Sequence, residues 1–266
     1  MSIVKINDIN MYYESHGEGE PLILISGNGG ELSQWKDHIT MFSKEYQVIA
    51  FDNRGAGRTD KPDMEYSIEM MANDVVGLMD ALGIEKAHIL GASMGGMIAQ
   101  SIAFLHPNRV KSLILAVTMM KVSPQANYAA QHAIKNVQEG VDPESLAIYS
   151  IAWSFPDEVF ENPTAVEMIK KAMLTTLNQQ NVHGFKLQND AASEFNSSSW
   201  VSEIKVPTLV IEGEDDIVVP KKYSSREIAR NISGSKFISL PGGHMAYLMN
   251  AGSFQKHVMD FIASIT

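Results

Sequence analysis

The chain has 266 residues, 45 % of them hydrophobic and 20 % charged, a composition typical of globular proteins. Its 21 lysines and arginines against 31 aspartates and glutamates give a net charge of −10, which disfavours a nucleic acid partner. No run reaches the roughly 18 apolar residues of a membrane span, and the absence of cysteine excludes thiolate chemistry. The N-terminal residues turn polar before a signal peptide could form, so we expect a cytoplasmic protein without a membrane partner.

The strand pattern begins with a predicted hairpin and continues with buried strands. Residues 3–6 and 9–13 form the hairpin around Asn7-Asp8. Short, continuous apolar runs then recur at residues 22–25, 48–51, 88–90, 113–117, 209–211 and 237–240. Continuous apolar runs are typical of strands that are covered on both faces, as in a parallel sheet between helices.

Helical patterns separate these runs. One begins at Ser67, a suitable N-cap, and ends at Gly83, and a second is predicted over residues 94–105. The last helix carries Phe254 and Val258 and closes the chain. This alternation of strands and helices predicts an α/β fold with a doubly wound sheet.

The stretch 123–200 interrupts the alternation. It contains helical patterns but no buried strand run. We interpret it as a helical cap inserted into a core made of residues 1–122 and 201–266. The alternative is that these helices continue the outer layer of the sheet.

A candidate nucleophile lies between the run 88–90 and the predicted helix 94–105. Gly91-Ala92-Ser93-Met94-Gly95 fits the G-x-S-x-G pattern, in which a sharp turn between strand and helix exposes the serine. Side chains two residues before and after Ser93 would collide in such a turn, and glycines avoid the collision. The backbone N–H of Met94, at the helix N-terminus, is a candidate donor to an oxyanion.

A serine nucleophile needs a base and an acid that orients the base. Of eight histidines, only His244 combines a glycine-rich loop with a position just after the final strand run. The acid is expected after the run 209–211, where three carboxylates compete, namely Glu214, Asp215 and Asp216. A merely solvated acidic loop is the alternative there.

The second oxyanion donor is expected in the loop 26–30, Ser-Gly-Asn-Gly-Gly, which follows the run 22–25. Its glycines allow the backbone N–H of Asn28 to turn inward. The rival interpretation, a dinucleotide-binding loop, fails because G-x-G-x-x-G would need glycine at position 32, which is leucine.

Taken together, these motifs resemble the α/β-hydrolase fold superfamily over essentially the whole chain. The matching segments are Asp52-Asn53-Arg54-Gly55-Ala56-Gly57, the Ser93 motif, Gly213 with Asp216 and Pro220, and Gly243-His244. The resemblance implies a mostly parallel, eight-stranded sheet. It also implies that the acid lies three residues after the glycine and four before the proline, which selects Asp216.

Within that superfamily the core is similar to small bacterial carboxylesterases, 3-oxoadipate enol-lactonases and aminoacrylate hydrolases. Two departures stand out. Ser26-Gly27 replaces the usual His-Gly of the oxyanion loop, and no arginine occurs between Arg109 and Arg226. Relatives that bind carboxylate-bearing substrates tend to use a cap arginine, so its absence weakens the enol-lactonase and C-C hydrolase interpretations.

The substrate pocket is the least constrained part of the sequence. Gly27, Met119, Met120, Trp153 and Met245 are its predicted lining, with ordinary core packing as the alternative. Trp35 and Trp200 are further candidates, although simple packing is favoured for both. Arg54 could anchor an acidic group, but a structural ion pair within its own loop is favoured.

We therefore expect a serine hydrolase that cleaves a small-molecule ester or lactone without a cofactor or metal, as a monomer or homodimer. Ser93 attacks, His244 transfers the proton, Asp216 orients His244, and Asn28 and Met94 bind the oxyanion. The alternatives are enol-lactone or C-C bond hydrolysis on the same triad, a cofactor-free peroxidase-like activity, and a small-molecule receptor with negligible turnover.

Overall fold

The computed structural model describes residues 2–179, 181–219 and 221–265. In these residues, eight strands form one sheet in the order β1-β2-β4-β3-β5-β6-β7-β8. The strands are β1 (Ser2–Ile6), β2 (Ile9–His16), β3 (Glu20–Ile25), β4 (Tyr46–Phe51), β5 (Ala87–Ala92), β6 (Val110–Ala116), β7 (Thr208–Gly213) and β8 (Lys236–Leu240). The β1-β2 and β2-β4 pairs are antiparallel, and the other pairs are parallel. The predicted mostly parallel, eight-stranded α/β sheet is therefore confirmed.

Helices cover both faces of this sheet. The α-helices of the described ranges are α1 (Lys36–Phe42), α2 (Ile68–Ala81), α3 (Met94–Leu105), α4 (Pro124–Gln138), α5 (Pro143–Ser154), α6 (Asp157–Phe160), α7 (Pro163–Gln179), α8 (Val182–Glu194), α9 (Ser225–Asn231), α10 (Ala246–Met249) and α11 (Ala251–Ala263). The Ser67 side chain caps α2 by accepting a hydrogen bond from Met70 N, as its sequence position predicts. Across the described residues, no helix combines the length and apolarity needed to cross a bilayer.

Continuous apolar runs form the central strands because both faces of the sheet are buried. In β5 all six residues are buried. Ile89 belongs to the hydrophobic cluster that includes residues of α2 and α3, whereas Leu90 belongs to the cluster on the opposite face with residues of α1 and α11. Successive side chains thus enter different cores, since neighbouring residues of a strand point to opposite faces.

The strand order brings two loops together at one edge of the sheet. β3 pairs with both β4 and β5, and Ile25 at the end of β3 is in register with Gly91 of β5. The strand order reverses at this point, because the chain continues from β3 to β4 on one side and later to β5 on the other. Ligands bind at such switch points in open parallel sheets. The loops after β3 and β5 therefore leave the sheet side by side.

The segment between β6 and β7 contains the helices α4 to α8. It leaves and rejoins the core at one point, where Lys121 and Asn196 form an isolated antiparallel bridge. Its last helix, α8, packs against the loop after β4 through two glycines. A Cβ atom added to Gly184 would lie only 2.0 Å from the carbonyl oxygen of Gly55, so no larger residue fits there.

Candidate active site

Ser93 occupies a strained turn between β5 and α3. Its φ of 54° and ψ of −122° are rare for a residue with a side chain. The flanking glycines are sterically required, as the sequence pattern predicts. A Cβ atom at Gly91 would lie 2.1 Å from Gly95 O, and one at Gly95 would lie 2.1 Å from Ile25 O.

A continuous chain of hydrogen bonds joins the three predicted triad residues. His244 Nε2 lies 3.0 Å from Ser93 Oγ, and His244 Nδ1 lies 2.8 Å from Asp216 Oδ2. The side chains of His244 and Asp216 are 10 % and 6 % exposed, respectively. A histidine held in this way can accept the serine proton at Nε2 while its Nδ1–H stays on the carboxylate.

The turn after β7 directs Asp216 toward His244. Asp216 Oδ1 accepts hydrogen bonds from Val218 N and Val219 N, at 2.9 and 3.1 Å, which leaves Oδ2 for the histidine. Asp215 is exposed and has a φ of 61°. Of the three competing carboxylates, the geometry brings only Asp216 to His244 in the described part of this loop. Pro220, which the sequence motif includes, lies outside the described residues.

The loops of the acid and the histidine are in direct contact. Gly243 N donates to Glu214 O at 2.8 Å. A Cβ atom added to Gly213 would lie 1.8 Å from Gly243 O, so the two backbones approach as closely as glycine allows. Gly242, with a φ of 110°, supplies the turn before His244. This contact fixes the distance between Asp216 and His244.

The predicted oxyanion donors lie on either side of Ser93. A Cβ atom added to Gly27 would be 3.2 Å from Ser93 Cβ, so the loop 26–30 passes directly over the serine. Among the described residues, neither Asn28 N nor Met94 N donates a hydrogen bond to another protein group. Two free N–H groups beside a serine are suited to bind a developing oxyanion.

Ser26, which departs from the His-Gly that the resemblance leads us to expect, supports the loop 26–30. Its Oγ accepts a hydrogen bond from Trp35 Nε1 at 2.9 Å and donates to Glu31 O at 3.2 Å. Its carbonyl accepts from Asn53 Nδ2 at 3.0 Å. The core therefore supports this loop without a histidine.

Gln188 of α8 is a site residue that the sequence did not indicate. Its fully buried side chain accepts a hydrogen bond from Gly29 N and donates one to Arg54 O, both at 2.7 Å. The amide thus joins the oxyanion loop to the loop after β4. No motif marks Gln188, because a single glutamine in a polar helix has no distinctive spacing.

The predicted pocket residues separate into two groups. Met119 and Met120 are 3 % and 5 % exposed and belong to the same hydrophobic cluster as Met94. Met245 is partly buried beside His244, and Trp153 lines a cavity of about 210 Å³ between α4, α5 and α8. Of the further candidates, Trp35 is fully buried and Trp200 stacks on Phe104, so both pack in the core.

Arg54 forms a structural ion pair, but its partners lie in α2 and in the turn between β1 and β2 and not within its own loop, where the sequence predicts them. It is 1 % exposed, and its guanidinium contacts Asp74 at 2.7 Å and Asp8 at 2.7 Å. Burial opposes its charge, but the hydrogen bonds to Asp74 and Asp8 raise the pKa of Arg54 above its ordinary value. With its donors occupied, Arg54 is not placed to anchor a substrate carboxylate.

The described residues contain no cluster of three or more His, Cys, Asp or Glu side chains arranged to hold a metal ion.

Comparison with known proteins identifies the family of this chain. A relative from Mycobacterium tuberculosis, provisionally named non-heme bromoperoxidase BpoC, is 28 % identical over 263 residues, covering 97 % of this chain and 99 % of its own. The crystal structure of the enol-lactonase from Burkholderia xenovorans superimposes with a TM-score of 0.87 at 28 % identity, covering 98 % of this chain and 100 % of that chain. A thermophilic esterase from Thermogutta terrifontis gives 0.87 at 26 % identity, covering 100 % and 99 %. The family model of the alpha/beta hydrolase fold matches residues 20–251, and the chain belongs to that family.

Proposed function

We propose that this hydrolase cleaves a carboxylic ester or lactone through an acyl-enzyme formed on Ser93. The observation that carries the proposal is the hydrogen-bonded chain from Asp216 through His244 to Ser93. The similarity to an enol-lactonase and an esterase supports the same reaction type.

In the proposed reaction, Ser93 Oγ attacks the carbonyl carbon while His244 Nε2 takes the hydroxyl proton. The tetrahedral intermediate carries its negative charge on the former carbonyl oxygen, within reach of Asn28 N and Met94 N. Collapse breaks the bond to the leaving oxygen, which takes the proton from His244. Water then attacks the acyl carbon while His244 takes its proton. Collapse of this second intermediate breaks the bond to Ser93 Oγ, which takes the proton from His244, and the carboxylic acid is released.

The remaining expectations belong to the same proposal. Residues 123–200 act as a cap over the core halves 1–122 and 201–266, and the enzyme works in the cytoplasm without a cofactor. An enol-lactonase preference is less well supported, because Arg54 is occupied and the cap has no arginine.

The test is covalent labelling together with turnover. A fluorophosphonate should label Ser93 alone, as shown by mass analysis of the digested protein, and Ser93→Ala should abolish hydrolysis of a chromogenic butyrate ester. Labelling of another serine would contradict the nucleophile assignment. A protein that is labelled at Ser93 but hydrolyses none of the tested esters, lactones and C-C substrates would favour the alternative of a small-molecule receptor.

A further inference from the structure

Two apolar cavities adjoin each other between α4, α5 and α8. The outer one has a volume of about 380 Å³ and the inner one about 210 Å³. Both are lined by Ala133, Tyr149, Ser150 and Phe185, so they lie next to each other at these four residues. We call the combined space the cap passage. Its size falls within the range of small-molecule sites.

One face of α4 forms a wall of the cap passage along its whole length. Ala126, Ala130 and Ala133 line the inner cavity, and Ala133 and Val137 line the outer one. Their spacing of three or four residues places them on one face of the helix. At a rise of about 1.5 Å per residue, the distance from Ala126 to Val137 is about 16 Å. Their small side chains leave open space along this face of the helix.

The inner end of the cap passage is built from residues that touch the loops of the triad. Val218 lines it, and Val218 N donates to Asp216 Oδ1 at 2.9 Å. Ser154 also lines it, and a Cβ atom added to Gly243 would lie 3.0 Å from Ser154 O. The helix α5 packs against the turn that carries His244. The passage therefore begins beside the catalytic loops and leads away from them.

The residues that line the cap passage are suited to binding a hydrocarbon chain. None of the described residues that line the two cavities is charged, and the outer cavity is mainly apolar. Lys186, next to the lining residue Phe185, forms an ion pair with Asp190 at 2.6 Å. A carboxylate in the passage would lose hydration without gaining a charged partner, whereas an alkyl chain gains from leaving water.

We propose that the cap passage binds an unbranched aliphatic chain of medium length, carried on the acyl or the alcohol side of the ester. The inference rests on the proposed function in one respect, because it assumes that the chain belongs to a substrate whose carbonyl reaches Ser93. The extent of the passage along α4, about 16 Å, favours an extended chain over a compact fused-ring group.

The first test shortens the passage at the junction of its two cavities. In Ala133→Phe, the ratio of kcat/KM for a decanoyl ester to that for the acetyl ester should fall by about tenfold or more relative to the wild type. The same ratio measured with decyl and methyl esters of a short acid shows whether the chain enters on the alcohol side. Unchanged ratios in both series would overturn the proposal.

The matched control is Ala152→Phe, the same substitution on the exposed face of α5. It should keep the wild-type dependence on chain length, and a loss equal to that of Ala133→Phe would overturn the proposal. If Ala133→Phe does not fold, as judged by its thermal transition, the smaller Ala130→Leu within the inner cavity replaces it with the same expected direction.

A binding measurement separates this inference from the proposed function. Ser93→Ala protein should bind n-decanol in calorimetry, and addition of Ala133→Phe should weaken that binding by about tenfold or more. Absence of decanol binding would overturn the passage even if short esters are hydrolysed. If Ser93→Ala binds decanol but the wild-type protein hydrolyses no ester, the inference about the passage stands and the proposed reaction is overturned.

Discussion

Gln188 Oε1 accepts a hydrogen bond from Gly29 N across 2.7 Å, although the two residues are 159 positions apart in the chain. The bond fixes the peptide group between Asn28 and Gly29. The N–H of Asn28 itself is the proposed oxyanion donor. Because Gln188 Nε2 also holds Arg54 O at 2.7 Å, the amide cannot rotate without losing both bonds. A helix of the inserted segment thus supports the backbone beside Ser93.

Gln188→Met should lower kcat by about tenfold to a hundredfold, with a smaller change in KM, since it leaves the oxyanion loop less firmly held. It should also lower the free energy of unfolding by about 1 to 3 kcal/mol, because Gly29 N and Arg54 O lose their partner in the interior. A boronic acid that forms a tetrahedral adduct with the serine should lose affinity in parallel with kcat.

The matched control for this variant is Gln131→Met. Gln131 lies in α4 and donates to Asp190 Oδ1 at 2.8 Å, within the same inserted segment but away from the loop 26–30. The variant Gln131→Met should change kcat by less than about threefold. If Gln188→Met lowers only the thermal transition and leaves kcat and boronate affinity intact, Gln188 is purely structural.

Asp216→Asn should reduce kcat by roughly 10⁴-fold, because an amide stabilises the wrong tautomer of His244. Asp215→Asn should change the rate by less than about tenfold, since Asp215 is exposed and its φ of 61° is well tolerated by asparagine. Steady-state rates of the two purified variants make the comparison. Equal losses at both positions would contradict the assignment of Asp216 as the orienting acid.

Neutral esters should be preferred over esters that bear a free carboxylate by about tenfold or more in kcat/KM. Arg54 is paired, the cap has no arginine, and the net charge is −10. The measurement compares a valerate ester with the matching hemisuccinate ester at low and high salt. Salt should remove the part of the difference that arises from the net charge and leave the part that arises from the pocket. A preference for the hemisuccinate would favour an enol-lactonase-like substrate instead.

Stability should decrease in mild acid because of His38. Burial among aromatic rings lowers the pKa of His38 from 6.5 to about 4, while the nearby Asp37 has a smaller, opposite effect. Between pH 6.5 and about pH 4, His38 binds a proton in the unfolded chain but not in the folded chain. The free energy of unfolding should therefore fall by about 3 kcal/mol as the pH decreases through this window.

The variant that tests this titration is His38→Gln, which retains a polar contact for Gln255 but cannot be protonated. Urea unfolding at about pH 7.5 and about pH 5 should show a smaller loss of stability for His38→Gln than for the wild type. His132→Gln, at an exposed position of α4, is the control and should behave like the wild type. An unchanged pH dependence in His38→Gln would contradict the prediction.

Local patterns determine the parts of this protein that the sequence predicts well. The α/β sheet follows from continuous apolar runs, and the turn at Ser93 follows from a steric need for glycine at fixed spacing. The acid could be chosen only through the family spacing, because Glu214, Asp215 and Asp216 have the same chemistry. Interactions between distant segments leave no such pattern. Neither the ion pairs of Arg54 nor the bonds of Gln188 could be assigned before the chain was folded.

Lys121 and Asn196 form a bridge at the base of the inserted segment, and Ser197 N donates to Met120 O at 2.9 Å beside it. Recombination between relatives at these two positions would therefore exchange the helices α4 to α8 as a unit while the ends of the core stay in place. Such a hybrid must also keep one contact between the inserted segment and the core. Unless the incoming segment supplies an acceptor for Gly29 N where Gln188 now lies, the hybrid should bind the donor's substrates yet turn them over slowly.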